Sequence, residues 1–128
     1  MRLFTAIGLD DEARAAVAAA QQRIRTYLGV SSRSLRFVQP EHLHLTLVFV
    51  GEVDERSAAE IVGVMRQDVA LQAFELVFAG FGWFPPRGAP RVLWLGTATG
   101  AGQAIDLQAS MAARLARALG VPVGELLE

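Results

Sequence analysis

The stretch Pro40-Glu41-His42-Leu43-His44-Leu45-Thr46-Leu47-Val48-Phe49-Val50-Gly51 constrains the possible folds of this chain more than any other. It is rich in apolar and β-favouring residues, is bracketed by proline and glycine, and reads as a buried strand. A buried strand needs a paired neighbour and a covering layer, so the chain must supply both around it.

The flanking sequence does so. Leu3 to Leu9 is an apolar run of strand length, and Asp10-Asp11-Glu12 then offers a capping residue and acids for a helix start. The helix runs to about Leu28, with Ala13, Ala16, Val17, Ala20, Ile24, Tyr27 and Leu28 spaced as one buried face. Gly29 to Arg36 reads as a polar loop, and Phe37-Val38 as a short strand before Pro40. Asp54 is the expected N-cap of a second helix to about Val69. Phe74 to Ala79 alternates as a strand, Phe81-Gly82-Trp83-Phe84-Pro85-Pro86 reads as a turn-rich aromatic loop, and Arg91 to Gly96 as a further strand. Thr97 to Gly102 is expected to be a flexible connection. A last helix covers about Gln103 to Leu119, apolar along Leu107, Met111, Leu115, Ala118 and Leu119 and stopped by Gly120.

Composition narrows the class. A chain of 128 residues, 52 % of them hydrophobic, has material for one globular domain over 1–128 and is not disordered. Twelve Lys and Arg nearly balance thirteen Asp and Glu, so no strong basic field exists to hold long duplex nucleic acid. A short or single-stranded end is compatible with that balance. The absence of cysteine removes disulfides and most structural zinc patterns and fits a cytoplasmic protein. The opening residues are too soon charged for a secretory signal, and no apolar run of about 20 residues is present to span a membrane.

Chemistry concentrates on the central strand. Alternate side chains of a strand share a face, so His44 and Thr46 point the same way, roughly 7 Å apart. An imidazole exchanges a proton near neutral pH, and a hydroxyl can donate a hydrogen bond to an anionic oxygen. The pair is therefore a half-site for phosphate ester chemistry. His42 would share that face as a rim or supporting residue. A His42/His44 metal pair is the rival reading, and it would need a carboxylate such as Glu41 or Glu52 as a third ligand. Neither a metal nor another cofactor is expected.

An incomplete internal repeat accompanies this half-site. Arg2-Leu3-Phe4-Thr5-Ala6-Ile7-Gly8, a helix and then His44-Leu45-Thr46-Leu47 is echoed by Arg91-Val92-Leu93-Trp94-Leu95-Gly96 and a helix. No second His-x-Thr strand follows, and His44 is the last histidine of the chain.

With RLFTAIGLD, PEHLHLTLVFVGEV, FELVFAGFGWFPP and RVLWLG in this order, the chain resembles the 2H phosphoesterase superfamily. Within it the likeness is to the LigT-type RNA 2',3'-cyclic phosphodiesterases, long labelled 2'-5' RNA ligases. The resemblance implies an α+β fold: two pseudo-symmetric lobes of antiparallel sheet flanked by helices around a central cleft, with the second lobe incomplete here.

It also implies a metal-independent hydrolysis of RNA 2',3'-cyclic phosphate ends to 2'-phosphates. In this reading His44 is the proton donor to the leaving 3'-oxygen and Thr46 holds the phosphoryl group. A second histidine would activate water, and it has no counterpart in this chain. Arg91 resembles a cleft arginine able to pair with a phosphate. Phe84, in the Phe81-Trp83-Phe84 cluster, could stack on a terminal base or simply close a core. The implied partners are RNA ends or nucleotide 2',3'-cyclic phosphates. Truncation, a catalytically inactive nucleotide- or RNA-end-binding module, and a dimer supplying the absent groups are the competing explanations, with truncation favoured. RNA ligation by the reverse reaction is a further alternative. Unpaired strand edges predict strand-mediated association.

Overall fold

The computed structural model describes residues 1–29, 36–88 and 92–127. The fold is α+β, with two separate two-stranded sheets. Strands β1 (Arg2–Gly8) and β2 (His44–Glu52) form the first, and β3 (Val77–Phe84) and β4 (Val92–Thr99) form the second. The chain divides into two compact units, Met1–Thr5 with Thr46–Glu128, and Ala6–Leu45.

In the larger unit, helix α2 (Glu55–Met65) packs on α3 (Ala101–Leu119), and the short α4 (Gly124–Leu127) packs on the end of α3. Their core is aliphatic: Ala58 and Ile61 of α2 and Ala104, Met111, Ala112, Leu115 and Ala116 of α3 are buried. The alanines at 58, 112 and 116 leave room for close helix approach, with Ile61 and Leu115 filling the space between. Leu47, Val48 and Leu126 complete the buried apolar set.

Asp54 caps α2 as its sequence indicates, accepting the Ser57 N–H at 2.7 Å. That backbone hydrogen bond, with one from the Ser57 side chain, holds the Asp54 carboxyl below its ordinary value. The helix stops at Met65, four residues short of the expected end at Val69. The cause lies far along the chain: the Arg114 guanidinium of α3 donates to the carbonyl oxygens of Val64, Gln67 and Asp68 at 3.1, 2.9 and 2.9 Å. These carbonyls are satisfied by a side chain, and the backbone turns away from the helix.

The hairpin departs furthest from expectation. Phe81 to Phe84 is strand rather than turn-rich loop, paired to β4 in the register Phe81↔Leu95, Gly82↔Trp94, Trp83↔Leu93 and Phe84↔Val92. Pairing overrides the turn bias of Gly82 because the Trp94 indole lies across it, in the space a side chain would fill. Strand β3 begins at Val77, so Phe74 to Leu76 lies outside it. Strand β4 runs on to Thr99, replacing the expected flexible connection. Gly100 then starts α3 at φ +92°, where a side chain would run into the Glu75 carbonyl.

In the smaller unit, α1 (Asp11–Leu28) begins where expected, the Asp10 side chain accepting the Ala13 N–H at 2.8 Å. No residue of α1 is fully buried, and Tyr27, expected on the inner face, is 90 % exposed. Phe37-Val38 is not a strand: Phe37 stacks under the Arg25 guanidinium at 4.5 Å, and the Val38 carbonyl accepts from the Gln21 side chain at 2.9 Å. Pro40–His42 forms a 3₁₀ turn, so the central strand starts at His44 rather than at Pro40. Most of the expected polar loop after Gly29 lies outside the described residues.

Three outcomes are expected. Asp54→Ala lowers the unfolding midpoint at neutral pH. A carboxylate with a depressed folded pKa stabilises above its unfolded pKa and loses that contribution as it protonates. The gap between the two proteins therefore closes as pH falls through and below about 4, measurable by thermal melts over a pH series. Gly100→Ala places an L-residue at positive φ against a backbone carbonyl and costs about 2 kcal/mol or more in urea unfolding. Gly82→Ala drives a Cβ into the indole ring of the half-exposed Trp94, a side chain that swings outward to make room, rather than into backbone. It costs less than about 1.5 kcal/mol but changes the tryptophan fluorescence. An equal cost for both would contradict this account.

Candidate active site

The site is built on the start of β2. The 3₁₀ turn closes through the His42 N–H on the Gln39 carbonyl at 2.8 Å and the Leu43 N–H on the Pro40 carbonyl at 3.3 Å. Proline suits its place at the head of that turn, where no N–H is required. The closed turn leaves the His42 carbonyl facing the next imidazole, 2.8 Å from His44 Nδ1. A carbonyl oxygen only accepts, so Nδ1 carries the proton and the neutral ring has its lone pair on Nε2. The backbone thus selects the tautomer of the neutral His44 ring.

His44 and Thr46 are both exposed and occupy alternate positions of β2. The strand changes character one residue on: Leu47 and Val48, on opposite faces, are both buried. The Gln108 side-chain amide of α3 donates to the Leu47 carbonyl at 2.9 Å and ties the strand beside Thr46 to that helix. Sequence reasoning missed Gln108. Its position on the helix gives no signal, since its partner lies 61 residues away.

The remaining expected site residues divide. His42 stands in the turn and not in the strand. It is exposed, and it meets His44 through its backbone rather than as a second imidazole on one strand face. The spacing pattern misleads here because Pro40 starts a turn that breaks the alternation. Phe84 closes β3, 62 % exposed, opposite Val92. Arg91 lies outside the described residues. Among the described residues no three His, Asp or Glu side chains gather as a metal site. A hollow of about 250 Å³ lined by Leu71, Gln72, Ala73, Phe74, Gln103 and Asp106 contains none of the expected site residues. No helix among the described residues is long and apolar enough to cross a membrane.

The chain is similar to known proteins. The family described as LigT like Phosphoesterase matches residues 7–94. An RNA 2',3'-cyclic phosphodiesterase of Archaeoglobus fulgidus is 41 % identical over 96 residues, 75 % of this chain and 51 % of the relative. One from Thermus thermophilus is 37 % identical over 128 residues, 99 % of this chain and 57 % of the relative. The crystal structure of TT0787 of Thermus thermophilus superposes with a TM-score of 0.78 at 32 % identity, covering 98 % of this chain and 66 % of that one. The chain spans about half the length of the curated relatives it matches. With the His-x-Thr strand inside the matched segment and the fold shared, the chain belongs to the LigT-like phosphoesterase family.

Proposed function

We propose that this chain takes part in opening RNA 2',3'-cyclic phosphate ends to 2'-phosphates. The observation that carries the reading is the exposed His44, pinned through Nδ1 to the His42 carbonyl within a segment that matches proteins named RNA 2',3'-cyclic phosphodiesterase.

The chemistry follows from the residues. A water oxygen bonds to phosphorus as the P–O3' bond breaks, and the Nε2 proton of the His44 imidazolium passes to the departing O3'. Thr46 donates its hydroxyl to a non-bridging oxygen, where charge grows in the transition state. The proton lost by water goes to a base, and in this chain solvent takes that role. The resemblance gives this role to a second His-x-Thr, and positions 45–128 hold no histidine for it. Phe84 is proposed to stack on the terminal base, Arg91 to pair with phosphate and His42 to form the rim. A cytoplasmic protein working on RNA or nucleotide ends, over one domain of residues 1–128, is the setting proposed.

A second reading, resting on the exposed His44 and Thr46 alone, is a module that binds cyclic phosphate ends without turning them over.

The test is turnover of a short RNA ending in a 2',3'-cyclic phosphate, in the presence of EDTA. The chain is expected to release a 2'-phosphate, and His44→Ala to lower kcat by about 10²- to 10⁴-fold. Thr46→Ala is expected to lower it by about 10²-fold. Binding of the cyclic end without turnover, lost in His44→Ala, supports the module instead. Turnover unaffected by either substitution overturns both readings.

A further inference from the structure

Charge is unevenly spread along the chain. Residues 13–40 hold five arginines and no acid, and all thirteen Asp and Glu lie outside them. This stretch leads directly into the turn at Pro40–His42 and on to His44. Arg14 is engaged with Asp11 and the Leu9 carbonyl at the start of α1, and Arg33 lies outside the described residues. Arg23, Arg25 and Arg36 are exposed, and among the described residues none of the three has a carboxylate partner.

Two of these three belong to one docked segment. Gln21 and Arg25 lie one turn apart on the same face of α1, and Arg23 points away from it. The Arg25 guanidinium lies over the Phe37 ring at 4.5 Å, and the Gln21 side chain holds the Val38 carbonyl at 2.9 Å. The backbone that begins with Arg36 is thus fastened along the helix. It then enters the turn closed on the Gln39 carbonyl, which presents the His42 carbonyl to His44 Nδ1. All of these residues belong to the one compact unit Ala6–Leu45. Phe37 stands seven residues before His44, so their backbones are at most about 25 Å apart. A guanidinium laid on a ring keeps its N–H edges turned outward, where they match the paired oxygens of a phosphate.

We propose that Arg25 and Arg36 grip phosphodiesters of a single-stranded RNA on the 5' side of its terminal cyclic phosphate. The substrate class is then an oligonucleotide end rather than a free cyclic mononucleotide, an assignment that rests on the reading of His44 as the group that meets the cyclic phosphate. Two neighbouring guanidiniums without carboxylates repel each other, and an anion bound between them relieves that repulsion. RNA supplies such anions at every nucleotide beyond its cyclic end. Two phosphate contacts are fewer than a duplex-binding protein uses, in keeping with the balanced charge of the whole chain.

Fluorescence anisotropy of a 5'-labelled RNA hexamer ending in a 2',3'-cyclic phosphate tests it, with uridine 2',3'-cyclic phosphate as competitor, over about 50 to 200 mM salt. The hexamer is expected to bind at least about tenfold more tightly than the mononucleotide. Arg25→Gln and Arg36→Gln each flatten the plot of log affinity against log salt by about 0.7, and together they remove most of the advantage of length. Neither changes the affinity for the mononucleotide, and Arg66→Gln, at the exposed end of α2, changes nothing. Far-UV circular dichroism verifies that each variant is folded. A hexamer bound no more tightly than the mononucleotide, or a length advantage that survives both substitutions, overturns the proposal and leaves the reading of His44 intact. A hexamer with a plain 3'-hydroxyl that binds equally well, indifferent to His44→Ala yet weakened by the arginine substitutions, overturns that reading and upholds the arginine contact. Binding of neither ligand overturns both.

Discussion

Strand β2 carries the constraint on which the rest depends. At Leu47 and Val48 two successive side chains, which must point to opposite faces, are both buried, so the strand is fixed from both sides at one point. The Gln108 amide holds the Leu47 carbonyl, and the small residues of α2 and α3 allow a close-packed helix pair in the same unit. Thr46 adjoins the fixed pair directly and stays exposed. A hydroxyl proposed to hold a phosphoryl group needs a rigid mount and open access to solvent, and this strand combines the two within three residues.

The His44 ring is controlled by a different device. A short turn spends its own hydrogen bonds on Gln39 and Pro40 and leaves one carbonyl for the imidazole. Backbone control of a tautomer needs no partner side chain. It follows that the residue type at position 42 matters less for His44 than the path of its backbone. His42 also differs from what its spacing suggests for the same reason.

Local chemistry is legible in the sequence, and long-range chemistry is not. Asp10 and Asp54 read correctly as helix caps because a cap is decided within three residues, and Gly120 stops α3 for an equally local reason. The end of α2 depends on Arg114, so local sequence places it too late. The Phe81–Phe84 segment reads as a loop from its glycine and prolines, yet pairing with β4 and the indole over Gly82 make it strand. The exposed His44–Thr46 pair is visible from the motif alone. The start of its strand reads four residues early, because alternation by itself cannot show that Pro40 begins a turn.

The central claim is that His44 is held in one tautomer and meets a cyclic phosphate through Nε2. It is tested most directly by ¹⁵N NMR of the histidine-labelled chain during titration with a nucleoside 2',3'-cyclic phosphate. Two imidazoles are present, and His42→Gln assigns them. The account predicts a neutral His44 protonated on Nδ1, with its Nε2 resonance moving as ligand is added. A neutral ring protonated on Nε2, or a ligand that leaves the His44 signals in place, would contradict it.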